Sequence, residues 1–228
     1  MAAYPQRVIV VIGSPIGRIA DGTIAAGGPA SRVALAAAAT GRSVQLVGRT
    51  GDDPTAEGVV LDLARGGVGH VALLRDAARV TALEPVVPGD DEPDDLDGSV
   101  ALPGREDPAA GMAGPALDAA DVDLGLRYLT DFAVVVLAEP AGPDVVRVVA
   151  DAARWAEARL VLVVAAGATV PHDLPADGIV FEAPDADPDG VFASLVGGFA
   201  AALDDGAEPG EAFRASIESD GWTEAAGD

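Results

Sequence analysis

The stretch that most constrains the fold runs from Gly27 to Pro54, GGPASRVALAAAATGRSVQLVGRTGDDP. A double glycine opens an alanine-rich helix pattern from about Pro29 to Thr40, with proline near its first turn and Gly41 as its stop. Strand pattern follows over Ser43 to Val47, then Gly48, Gly51 and the pair Asp52-Asp53. The aspartates can cap a second helix whose first turn holds Pro54 and which runs to about Arg65. Gly66 and Gly67 stop it, and Val71 to Leu74 reads as a short strand. Upstream, RVIVVIG (residues 7–13) reads as a buried strand, and Ser14 to Ala26 reads as a loop broken by Pro15, Gly17 and Gly22. The order β-α-β-α-β argues for a parallel sheet with covering helices.

Beyond this unit the pattern changes. Val80 to Val87 and Ser99 to Leu102 read as two strands of a small β flap at 80–102. Between them DDEPDDLD, residues 90–97, carries six acidic residues in eight. Such a run reads as a solvated loop, since the regular ligand spacing and central glycine of a calcium loop are missing. After a Pro/Gly-rich segment, helix is expected at 117–129, strand at 132–137, helix at 143–158 and strand at 160–164. A short strand at 178–181 precedes helices at about 190–203 and 208–218. These elements make one α/β domain over residues 1–218, with 219–228 as a flexible tail.

Composition narrows the chemistry. The 228 residues carry 14 basic and 37 acidic side chains, a net charge of −23. That surface repels phosphate backbones and anionic lipid, so neither nucleic acid nor membrane is an expected partner. The sequence contains no lysine and no cysteine, which excludes a phosphate-binding Walker lysine, Schiff-base chemistry, thiol nucleophiles and thiolate zinc sites. His70 and His172 stand far apart with no supporting motif and read as ordinary loop residues, so no metal site is expected. No secretory signal opens the sequence and no run reaches membrane-spanning length, so a cytoplasmic location is expected.

Three N-terminal features together resemble the ribokinase, or PfkB-type carbohydrate kinase, family. VIVVIGS (residues 8–14) is similar to the family's opening strand and turn. Gly27-Gly28 before a small-residue helix is similar to its double-glycine signature near the sugar. Residues 48–54, GRTGDDP, followed by a helix and Gly67-Val68, are similar to its G-x-x-G-D-D segment. Leu137 to Pro140 and the helix and strand after it resemble the family's central β-α-β unit. The resemblance implies a three-layer sandwich around a mainly parallel sheet. It also implies transfer of the ATP γ-phosphate, with Mg²⁺, to a sugar hydroxyl. In the family an aspartate takes the proton, and N–H groups at a helix start stabilise the transferred phosphoryl.

The sequence departs from that pattern where the chemistry lies. In place of the family's G-A-G-D motif stands Asp187-Pro188-Asp189-Gly190, with Gly190 at the position of the catalytic aspartate. Pro188 offers no N–H, and the flanking carboxylates can themselves cap the helix that follows. Asp189 is the remaining candidate base. The family's substrate aspartate aligns with Arg18 and its substrate asparagine with Arg32. With Gly27 and Gly28 these arginines form the candidate substrate site, one suited to an anionic small molecule; the alternative reading is surface arginines paired with some of the abundant acids. The strands of the family's nucleotide pocket are missing between Phe181 and Gly190. The expectation is therefore a truncated, degenerate carbohydrate-kinase-like protein with no cofactor, which binds a small ligand or associates with itself or a partner. The sheet edge left by the missing strands favours a homodimer. The alternative is an active kinase that uses Asp189, ATP and Mg²⁺.

Overall fold

The structure, a computed structural model, describes residues 7–84, 114–129 and 131–219. In chain order the elements are β1 (Val8–Ile12), β2 (Ile16–Ala20), β3 (Thr23–Gly27), α1 (Gly28–Ala39), β4 (Val44–Gly51), α2 (Pro54–Arg65) and β5 (Val68–Asp76). Then come α3 (Ala119–Arg127), β6 (Phe132–Leu137), α4 (Pro143–Ala156), β7 (Arg159–Val164), β8 (Ile179–Glu182), α5 (Val191–Asp204) and α6 (Pro209–Ser219). Six strands form one sheet in the order β5-β4-β1-β6-β7-β8, with every pairing parallel.

The near-continuous apolar runs of β1, β6 and β7 follow from burial on both faces. Ile9, Val11, Leu46, Val134, Val136 and Val161 turn to one side, where α1, α2, α5 and α6 cover them. Val10, Ile12, Val47, Val135, Leu137 and Leu162 turn to the other, against α3 and α4. This is the expected three-layer α/β sandwich.

Close packing between α1 and α5 depends on one glycine. A Cβ built on Gly197 would lie 2.7 Å from both the Ala36 Cβ and the Val33 carbonyl oxygen, and 2.9 Å from the Ala37 nitrogen. The next residue, Gly198, is roomier: its nearest neighbour would be the Ser216 hydroxyl at 3.8 Å.

The segment expected as a loop at 14–26 is instead an antiparallel hairpin, β2–β3, in register from Ile16–Gly27 to Ala20–Thr23. Its turn is Asp21-Gly22, with φ of 49° and 72°, the positive values that a two-residue hairpin turn of type I′ requires. The hairpin rests on α2 through bare backbone. A Cβ on Gly58 would meet the Ile24 Cβ at 2.6 Å, and one on Gly17 would meet the Thr55 Cγ2 at 2.5 Å. Residues 80–84 run alongside the hairpin without forming a strand. They are joined to it by an isolated parallel bridge between Gly17 and Leu83, with the Gly17 N–H donating to Ala82 O and the Glu84 N–H to Gly17 O, both at 2.8 Å. The rest of the expected flap, the acidic run at 90–97 and the tail beyond Ser219 lie outside the described residues.

Asp53 caps α2 as the G-x-x-G-D-D spacing predicts, and it also anchors this neighbouring segment. Its Oδ1 accepts the Ala56 N–H at 2.9 Å, and its Oδ2 accepts the Thr81 N–H at 2.5 Å. Thr81 in turn accepts the Gly51 N–H on its hydroxyl at 3.0 Å. Burial works against the Asp53 charge, but the N–H donors and the Thr81 hydroxyl outweigh it and hold the carboxyl below its ordinary range. Because the folded value is depressed, this stabilisation is fully present above the ordinary carboxylate pKa and is lost as pH falls through the folded one. Asp53→Ala is expected to cost about 2 kcal/mol at neutral pH, with a smaller deficit in acid. Urea denaturation at several pH values checks both parts.

Candidate functional site

Strand order reverses between β1 and β6, so the crevice for a ligand opens at the carboxyl ends of these strands. The hairpin, the start of α1 and the start of α5 border it. At the α1 start, Gly28 takes φ 78°, and its N–H donates to the Glu84 Oε1 at 2.8 Å. Side chains here would collide. A Cβ on Gly27 would lie 2.8 Å from the Glu84 Oε1 and 3.0 Å from the Arg18 Cβ. The double glycine thus admits both Glu84 and the hairpin to the helix terminus.

Arg32, one turn into α1, ties the site together. Its Nη2 meets Glu84 Oε1 at 3.0 Å and Oε2 at 3.1 Å. Its Nη1 donates to the carbonyl oxygens of Asp187 at 2.5 Å and Pro188 at 3.1 Å. The guanidinium therefore bridges α1, the 81–84 segment and the loop before α5.

That loop ends at Gly190, which adopts φ 71° as the N-cap of α5 and brings no capping side chain. Asp187 reaches over it instead. Its Oδ1 accepts the Phe192 N–H and its Oδ2 the Ala193 N–H, each at 3.0 Å. The positive end of α5, where an anion would settle, thus already holds a carboxylate of the chain itself.

Two clefts flank this arrangement. One, of about 440 Å³, is lined by Ile16, Arg18, Gly28, Pro29, Arg32 and Glu84, with Ala186 to Pro188 at its side. The other, of about 390 Å³, takes in Arg18, Arg32, Asp62, Asp189, Gly190 and Ser194 among others. The structure therefore brings Arg18, Arg32 and Gly28 to the first cleft and Asp189 to the second. Arg18 and Asp189 are exposed, and neither side chain forms a hydrogen bond or ion pair with a described residue. His70 on β5 and His172 are exposed and line none of these clefts. Among the described residues no three histidine, aspartate or glutamate side chains are grouped to hold a metal.

Reading the sequence missed Glu139. It follows β6 at the switch point, and its Oε1 accepts the Ser14 N–H, just past β1, at 2.9 Å. Burial pushes its carboxyl above the ordinary range, with the Ser14 N–H and hydroxyl pulling the other way. A cavity of about 310 Å³ lies beside it, lined in part by Leu117, Gly142 and Val145. The only signal in sequence was its place in the segment Leu137 to Pro140.

Solved structures share this architecture. The apo adenosine kinase of Trypanosoma brucei brucei aligns with 97% of this chain and 99% of its own, at a TM-score of 0.64 and 12% identity. The chain has the ribokinase-like fold. The ribokinase of Arabidopsis thaliana, solved with ribose and ATP, aligns over 94% of this chain and 91% of its own, with a TM-score of 0.57 and 14% identity. No protein-family profile and no curated relative matches the sequence. The ribokinase-like sandwich is thus conserved in shape at very low identity. No helix among the described residues is long and apolar enough to cross a membrane.

Proposed function

We propose that this protein is a catalytically silent relative of the carbohydrate kinases, which binds a small ligand in the crevice without transferring phosphate. The observation that carries this reading is the Asp187 carboxylate on the Phe192 and Ala193 N–H groups. In the resemblance drawn from sequence, those donors stabilise the transferred phosphoryl, which carries negative charge. A carboxylate in their place repels that charge and uses the same hydrogen bonds. Gly190 at the expected position of the base, and the absence of an N–H at Pro188, support the same reading. So does the sheet's end: among the described residues no strand lies beyond β8, and only residues 183–190 separate it from α5.

Calorimetric titration with Mg-ATP tests the proposal, and a silent titration with no ADP release in the presence of ribose is the expected result. Saturable binding accompanied by turnover would overturn it in favour of an active kinase using Asp189, which lies exposed in the second cleft. In that event Asp189→Asn would abolish the turnover. For a silent protein the same substitution changes nothing measurable in the assay.

A further inference from the structure

We infer that the cleft of about 440 Å³ takes a compact, sugar-sized oxyanion, a phosphate monoester or a carboxylate, whose charged head is held by Arg18. This inference rests on the proposed reading of the crevice as a binding site and adds the class of ligand.

The inference comes from which charges around the cleft are already committed. Glu84 has Oε1 on the Gly28 N–H and both oxygens on Arg32. Asp187 has both carboxylate oxygens on the first turn of α5. In the neighbouring cleft Asp62 Oδ2 accepts the Ala26 N–H at 2.8 Å. The formal charges of Arg32 and Glu84 cancel, and the Asp187 charge is met by the α5 terminus. Arg18 is left over. Most described arginines are ion-paired, including Arg7, Arg42, Arg49 and Arg75. Arg65, Arg79 and Arg214 also lack an acidic partner among the described residues, but none of them lines these clefts. Arg18 lines both clefts, and its side chain has no acidic partner among the described residues.

The geometry suits a ligand that brings its own oxyanion. The planar guanidinium presents a fork that matches carboxylate or phosphate oxygens in pairs. The cleft wall beyond it is mostly apolar, with Ile16, Pro29 and Pro188 to cover a compact body. Its volume falls in the range of small-molecule sites. A neutral sugar leaves Arg18 without a partner and gains little from these walls.

Calorimetric titration of the full chain at low salt with D-ribose 5-phosphate, D-ribonate and D-ribose tests the inference. At least one of the two anions is expected to bind saturably, and D-ribose at least about tenfold more weakly. Binding of the phosphate alone identifies the ligand as an ester, and binding of the ribonate alone identifies it as a carboxylate. Arg18→Gln should reduce anion binding to the level of ribose with an unchanged melting temperature, because Arg18 is exposed. Arg65→Gln, at the far end of α2, should leave binding intact. Three results would overturn the inference: ribose binding as tightly as the anions, anion binding unaffected by Arg18→Gln, or no binding of either anion. Turnover of Mg-ATP would defeat the silent-kinase reading alone and leave these titrations standing.

Discussion

Gly197→Ala is expected to destabilise the fold by about 2 kcal/mol, whereas Gly198→Ala leaves it unchanged or slightly more stable. Both residues lie in the interior of α5, where alanine is the better helix former. They differ only in what the added methyl meets. At Gly197 it meets the backbone of α1, the Val33 oxygen and the Ala37 nitrogen, neither of which can rotate aside. The two helices must separate, and the apolar contacts of Val33, Ala37, Val196 and Ala200 loosen with them. At Gly198 the methyl makes an ordinary contact with the Ser216 hydroxyl. Chemical denaturation of the two variants separates the effects. Equal stabilities would show that α1 and α5 do not depend on this close approach.

Arg32→Ala is expected to cost about 2 kcal/mol, less than a fully buried ion pair, because solvent still reaches the site. Each partner's side chain keeps 21% of its surface exposed, so screening is partial. The loss extends beyond one pair. Among the described residues the Glu84 carboxylate keeps only the Gly28 N–H, and the carbonyls of Asp187 and Pro188 lose their guanidinium donor. Arg32→Lys should recover only part, since a single ammonium cannot satisfy Glu84 and two carbonyls at once. In the double variant Arg32→Ala/Glu84→Gln, the combined cost should fall short of the sum of the single costs. A cost for Arg32→Ala below about 0.5 kcal/mol would place the pair among ordinary surface bridges.

The parts of the fold written in periodicity were legible. The apolar runs of β1, β6 and β7 announce strands buried on both faces, and Gly27 to Pro54 marks α1, β4 and the cap of α2. The hairpin is hidden in the sequence because Pro15, Gly17 and Gly22 look like breakers of any regular element. Yet Asp21-Gly22 stands between two short stretches containing isoleucine, and Gly17 serves close approach to Thr55 and not a turn. β5 extends beyond the four residues legible as strand because it is an edge strand that contains His70 and Arg75, residues that interrupt an apolar pattern. At the site, Asp187 and Asp189 both read as carboxylates able to cap α5, and in the structure Asp187 alone does so among the described residues. The fork of Arg32 on Glu84 was not legible, since 52 residues separate them and neither lies in a shared motif. Glu139 escaped for the same reason: its meaning comes from meeting Ser14 across the switch point.

The place of β1 at the centre of the sheet also fixes the order in which the molecule can be assembled. On one side β1 pairs with β4, which follows soon after it, and on the other with β6, where Ile12 meets Leu137. A ribosome-bound chain that has emerged only through β5 can close half of the β1 ladder and must leave the other edge open. Until β6 is synthesised, that edge is a row of unpaired amides beside some of the most apolar side chains in the protein. Slow translation through residues 85–131 therefore prolongs the interval in which nascent chains can pair with one another, and lowering the growth temperature would trade yield against that hazard.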